Sequence, residues 1–149
     1  MDDRREPTLR VTMLPRDTNR HGTIFGGIIM SHIDLAGAIE ARKSCGPLNF
    51  VTVALDHVVF HKPVFLGDVV SLYTETLKVG RTSVTTRVIV EATRADTQES
   101  VRVTEADVVY VAVDKDWRPV QVQPAPTARR GGSRKPRAVR PARGREKSG

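Results

Sequence analysis

The residues best placed to do chemistry lie in one stretch, from Asp17 to Lys43. Its first half, Asp17-Thr18-Asn19-Arg20-His21-Gly22-Thr23, is polar; its second half, from Ile28 to Glu40, is apolar at most positions. Asp34 stands in the middle of that apolar run. Aspartate is a weak helix former and is almost never buried without a partner. Here it either meets solvent or a partner molecule, or does chemistry. Gly26-Gly27 opens the same run. The first amides of a helix have no intrahelical acceptor, and the helix dipole adds partial positive charge there. Residues without side chains let another molecule approach the backbone. A carbonyl oxygen gathering negative charge would be stabilised at such a point, although the two glycines would equally serve a sharp turn into the helix. A carboxylate partly withdrawn from water is more basic. It can activate water or attack a carbonyl itself, and residue types alone leave both routes open.

Other candidates are less pointed. Gly80-Arg81-Thr82-Ser83, with Lys62 and Lys78, offers a turn and exposed cations that could hold phosphate groups. Gly80 could also do no more than close a hairpin, with Arg81 solvated. Neither G-x-x-x-x-G-K-[ST] nor G-x-G-x-x-G occurs. The histidines, His21, His32, His57 and His61, show no zinc-type spacing with Cys or acidic residues. On a strand, His57 and His61 would stand roughly 13 Å apart along the chain, so no metal is expected. Cys45 has no histidine close in sequence to activate it, and Trp117 reads as a packing residue.

The elements that must position these groups follow from periodicity. Leu9, Val11 and Met13 alternate with polar residues and predict a short strand that Pro15 ends. The helix should run from Phe25 or Gly27 to Lys43. Arg42 and Lys43 suit its negative end, and Gly46-Pro47 stops it. A helix apolar on nearly every face belongs inside the protein. Val51–His61 predicts a strand with Val51, Val53, Leu55, His57, Val59 and His61 on one face. Val69–Val79 and Ser83–Ala95 form a tight antiparallel hairpin. Residues 96–100 form a loop, and Val101–Val113 is a further strand rich in β-branched residues. Asp114-Lys115-Asp116 turns into a last extended piece near Val120–Val122. One long helix against four or five antiparallel strands is an α+β domain.

The order of these pieces resembles a family. Asp17-Thr18-Asn19, His21-Gly22-Thr23-Ile24-Phe25-Gly26-Gly27 and Met30-Ser31-His32-Ile33-Asp34 are similar to the helix-opening signature of hotdog-fold acyl-CoA thioesterases, the YciA-type enzymes and cytosolic acyl-CoA hydrolases. The likeness continues through Val51-Thr52-Val53, Phe60-His61-Lys62-Pro63-Val64, Gly67-Asp68-Val69-Val70, Gly80-Arg81-Thr82-Ser83 and Tyr110-Val111-Ala112-Val113-Asp114. It covers roughly residues 8–122, as no single motif would. The resemblance implies a single hotdog domain whose sheet wraps one long central helix. It implies dimers with sheets joined edge to edge, and hexamers as trimers of dimers. It also implies that acyl-CoA is the substrate, with no cofactor. Asn19 of one subunit would pair with Asp34 of its neighbour, and the Gly27 amide would complete the oxyanion site. Lys62 and Gly80–Ser83 would hold the coenzyme A phosphates. The chain departs from the family at Thr23, where relatives often carry Asp or Asn, and at Val59, where they often carry Asn.

Charge is unevenly placed. Residues 124–149 hold seven Arg, two Lys and one Glu, a net of +8, so the overall +7 leaves residues 1–123 at −1. The high isoelectric point belongs to the tail. Residues 123–149 lack periodicity and large apolar residues, which reads as disorder. Contact with nucleic acid is expected only as weak, non-specific binding through them. Residues 1–7 read as a flexible start. A single Cys excludes an intrachain disulfide framework and is compatible with a reducing cytoplasm. No apolar run approaches the ~20 residues of a membrane span, and the charged N-terminus is no secretory signal.

Two rival functions remain at this level. A hotdog hydratase or dehydratase would need, by resemblance, a His paired with Asp or Glu in a different helix-opening motif. An acyl-CoA-binding sensor would use the basic tail, but has no need of both Asn19 and Asp34.

Overall fold

The computed structural model describes residues 5–122; the basic tail and residues 1–4 lie outside the described residues. Five strands and one long helix follow one another as β1 (Leu9–Thr12), α1 (Gly26–Cys45), β2 (Asn49–Phe60), β3 (Val69–Val79), β4 (Ser83–Thr93) and β5 (Ser100–Val113), with a one-turn 3₁₀ helix over Pro15–Asp17. The strands form one antiparallel sheet in the order β1-β3-β4-β5-β2. The sheet curls around α1, which packs against β3, β4, β5 and β2. This is the α+β hotdog architecture.

The core is the layer between helix and sheet. Ile29, Ile33, Ala36 and Ala41 of α1 meet Val70 and Leu72 of β3, Val84, Val88 and Val90 of β4, and Val103, Val108 and Tyr110 of β5. On β4 buried and half-buried residues alternate strictly, the signature of a strand with one face on a core. Gly46 lies at φ +86 directly after the helix and donates its N–H to the Arg42 carbonyl, which stops the helix where the sequence indicates.

Two expectations are corrected. The helix is not enclosed: Met30, Leu35 and Ile39 face outward, Leu35 with 57% of its surface exposed. The described residues cover only one side of α1, so the apolar stripe on the other side has no cover among them. Strand β2 does not keep one alternation either. Its pairing with β5 shifts between Thr52 and Ala54 and again between Asp56 and Val59. At the second irregularity His57 sits at φ +52. Each bulge re-aims the residues beyond it, so the six residues expected on one face do not share it.

The crossover from β2 to β3 fixes the start of the helix. Asp68 is buried and paired with Arg94, whose Nη1 also donates to the Pro63 carbonyl. The Phe65 N–H donates to the same carboxylate. Breaking such a pair leaves an uncompensated buried charge. The crossover in turn accepts the Ile24 N–H at the Val64 carbonyl, which sets the loop that leads into α1.

Candidate active site

Asp34 lies on α1 where the helix passes β5 and β2. It is half-buried. Thr52 Oγ1 donates to its Oδ1 at 2.6 Å, and Tyr110 Oη lies 3.2 Å from the same oxygen. Tyr110 Oη also donates to the Asp34 backbone carbonyl at 2.6 Å. Burial, and after it the Asp34 charge, push the Tyr110 pKa far above its ordinary range, so the phenol remains a donor. Oδ2 of Asp34 takes no hydrogen bond among the described residues, so one oxygen is held and the other is left for another molecule.

This approach depends on Gly37. A Cβ there would stand 2.4 Å from Tyr110 Oη and 2.8 Å from Thr86 Oγ1. Tyr110 and Thr52 sit on β5 and β2 as direct cross-strand partners. Sequence reasoning gave neither a role. Both stood inside quoted motifs, but only strand register reveals that they reach Asp34.

Asn19 is positioned by its own loop. Its Nδ2 donates to Thr23 Oγ1 at 2.8 Å, while its Oδ1 accepts the N–H groups of His21 and Thr23. Thr23, a departure from the family pattern, thus orients the amide. No hydrogen bond among the described residues joins Asn19 to Asp34 of the same chain. Gly27 is exposed near the start of α1, whose first turn carries no side-chain cap. Gly27 and Asp34 are seven residues apart, about 10 Å along the helix axis. A cavity of about 190 Å³ beside the helix start is lined by Thr23, Gly26, Phe60 and Lys62.

The expected phosphate-holding residues divide into two places. The Lys62 N–H bonds the Val103 carbonyl near one end of β5, whereas the Thr82 carbonyl accepts from Ala112 near the other. Those anchor points are about 30 Å apart along the strand, so Lys62 and Gly80–Ser83 of one chain do not form a single cradle. The Gly80 N–H bonds the Ser83 carbonyl and closes the hairpin, and the Arg81 carbonyl accepts from Val122. The Arg81 side chain is exposed.

The remaining candidates sit away from Asp34. His57 and His61 face Asp107 and Glu105 across β2 and β5, each at 3.7 Å. No group of three potential metal ligands occurs among the described residues. Cys45 is buried, which raises its thiol pKa. Trp117 is corrected: it is 75% exposed and packs into no core. No helix among the described residues is long and apolar enough to cross a membrane.

A helix held in a curled five-stranded antiparallel sheet, with a glycine-bearing polar loop at its start and a hydroxyl-bound carboxylate two turns in, defines the hotdog class of enzyme folds. The thioesterase superfamily profile matches residues 21–97, and the chain belongs to that family. It is 39% identical over 117 residues to the acyl-CoA thioester hydrolase YciA of Salmonella typhimurium, covering 76% of this chain and 87% of that protein. Among solved structures, the hexameric hotdog thioesterase Cj0915 of Campylobacter jejuni is 45% identical with a TM-score of 0.76, covering 81% of this chain and 92% of that one. HI0827, a hexameric broad specificity acyl-coenzyme A thioesterase, is 40% identical with a TM-score of 0.74, covering 79% and 81%.

Proposed function

We propose that this chain hydrolyses acyl-CoA to a free carboxylic acid and coenzyme A, with Asp34 as general base. The observation that carries the reading is the Asp34 carboxylate, fixed at Oδ1 by Thr52 and near Tyr110, with Oδ2 open. In the proposed reaction Oδ2 takes a proton from water as the water oxygen bonds to the thioester carbon. The carbonyl oxygen becomes negative and is met by the uncapped amide of Gly27. Collapse of the intermediate breaks the carbon–sulfur bond, and the thiolate leaves and recovers the proton. Asn19 polarises the carbonyl or places the water without competing for that proton.

Asn19 and Gly27 come from one subunit and Asp34 from its neighbour in this proposal. Two features support it: Asn19 makes no bond to Asp34 of its own chain, and the outward stripe of Met30, Leu35 and Ile39 offers a second copy an apolar surface. The assembly is then a dimer, built into a hexamer as a trimer of dimers; the structural neighbours Cj0915 and HI0827 are hexameric. Lys62 and Gly80–Ser83 contact different parts of the coenzyme A head, or the same part from different chains. The domain spans residues 8–122, works in the cytoplasm without a cofactor, and the basic tail contributes only weak contacts to nucleic acid.

Thiol release from acyl-CoA esters running from acetyl to palmitoyl tests the reading. Wild type is expected to hydrolyse part of the panel, and Asp34→Asn to be slower by ~100-fold or more, the scale of a lost general base. Tight acyl-CoA binding by a wild type with no hydrolysis would replace the reading with a sensor.

A further inference from the structure

We infer that Trp117 and the cavity beside it form a stacking platform for the purine nucleotide end of the thioester substrate. Trp117 is an outlier twice over. It lies at φ +63, a conformation in which a bulky side chain is strained, and it is 75% exposed, so burial does not repay the strain. Backbone strain that no packing explains concentrates at binding sites.

The surroundings fit one chemistry. Trp117 borders a cavity of about 360 Å³, which lies within the range of small-molecule sites. Phe50, Val51 and Val113 give it apolar lining, and Arg42 and Lys115 give it cations. An indole face beside two cations suits a base that stacks and a phosphate that pairs. The turn holds the ring there: Asp114 Oδ1 accepts the Asp116 and Arg118 N–H groups, and the Trp117 N–H bonds the Asp114 carbonyl. Asp114 Oδ1 is thereby engaged within the turn.

The location also fits. Val113, in the cavity wall, is three residues along β5 from Tyr110, which touches Asp34; that is about 10 Å of strand. Ala112 bonds the Thr82 carbonyl, so the Gly80–Ser83 turn lies at the same end of the sheet. The inference rests on the proposed coenzyme A chemistry and adds where the adenine would lie. A second copy of the chain seated on Trp117 would have to strip water from Arg42 and Lys115, whereas a nucleotide would pair them.

Trp117 is the sole tryptophan of the chain, so its emission reports directly on the platform. Adenosine 3′,5′-bisphosphate titrated into the full chain should quench it saturably. Hydrolysis of an acyl-CoA and of the matching acyl-pantetheine, which lacks the nucleotide, is then compared in wild type, Trp117→Gly and Lys115→Ala. Glycine suits a positive φ, so the first variant should fold and melt a few degrees higher. Its KM for acyl-CoA should rise roughly tenfold at unchanged kcat, the scale of one lost base stack, while its KM for acyl-pantetheine stays put. Lys115→Ala should raise the acyl-CoA KM less. Absence of quenching, or equal KM changes for both substrates, overturns the platform. So does dissociation of the assembly in Trp117→Gly, which would mean that a second copy covers the ring. If wild type hydrolyses neither substrate, the thioesterase reading fails, and quenching alone then decides the platform.

Discussion

Asp34 and Glu40 sit six residues apart on one helix, both half-buried and both bonded by hydroxyl groups. Glu40 is saturated: Ser44 and Thr76 bond Oε1, and Thr74 bonds Oε2. Asp34 has one oxygen held and one open. Glu40 meets Thr74 and Thr76 on β3, whereas Asp34 reaches Thr52 on β2, the strand at the other edge of the sheet. A carboxylate whose oxygens are both occupied ties helix to sheet. One that is oriented through a single oxygen can still accept a proton. On the proposed reading, the number and placement of hydroxyl partners, and not the type of acid, separate a structural acid from a reactive one.

The largest effect tests that contrast directly. Asp34→Asn is expected to lose ~100-fold or more in kcat with an almost unchanged melting temperature. Glu40→Gln is expected to keep kcat within about twofold and lose about 1 kcal/mol of stability, the cost of weakening hydrogen bonds to a half-buried charge. Chemical denaturation read beside kcat separates the two. A Glu40 variant that loses turnover and not stability would remove the distinction.

The next test asks whether Asp34 works with its own chain. Asn19→Ala and Asp34→Asn are each expected to be nearly inactive. Unfolded together and refolded as a mixture, half the dimers are mixed, and each mixed dimer holds one intact pair, so about a quarter of sites should recover. No recovery would place Asn19 and Asp34 within one subunit, or remove Asn19 from the site.

Smaller effects concern how Asp34 is held. Gly37→Ala places a methyl against Tyr110 Oη and should cost about 1–3 kcal/mol by overpacking. Tyr110→Phe removes the atom in the way, so the two changes should be less than additive when combined. The same pair should lower kcat more than it raises KM, because Asp34 loses orientation. Additive costs would mean that Gly37 matters for another reason, such as the nearby Thr86 hydroxyl.

Much of this was legible in the chain. The helix, its stop at Gly46, the β3–β4 hairpin and the order of elements followed from periodicity and turn residues. Asp34 stood out because an acid interrupts an apolar run. Three things could not be read. The outward stripe of Leu35 and Ile39 looked like core, because a hydrophobic pattern does not say whether the cover comes from the same chain. Thr52 and Tyr110 were invisible as Asp34 partners, since they lie 18 and 76 residues from it and only pairing register unites them. Strand β2 was read with one alternation because a bulge adds a residue without leaving a compositional mark, and His57 carries no glycine to announce its backbone.

That last residue gives the smallest expected effect. His57 holds φ +52 at the second irregularity of β2, with 84% of its side chain exposed and its imidazole 3.7 Å from Asp107. Asp107 is already bonded through both oxygens to Arg87. An exposed contact of this kind contributes little, whereas a left-handed backbone at a residue with a Cβ costs about 1–2 kcal/mol. His57→Gly removes both. Glycine also loses more freedom on folding, so the expected net gain is only about 0.5 kcal/mol. Turnover should not change, because neither His57 nor Asp107 touches Asp34. His57→Val should instead destabilise, since a β-branched side chain tolerates positive φ worst. Together the two variants isolate the backbone from the ion pair: if glycine destabilises as much as valine, the imidazole contact outweighs the strain, and the outer face of β2 carries an interaction that one chain alone does not display.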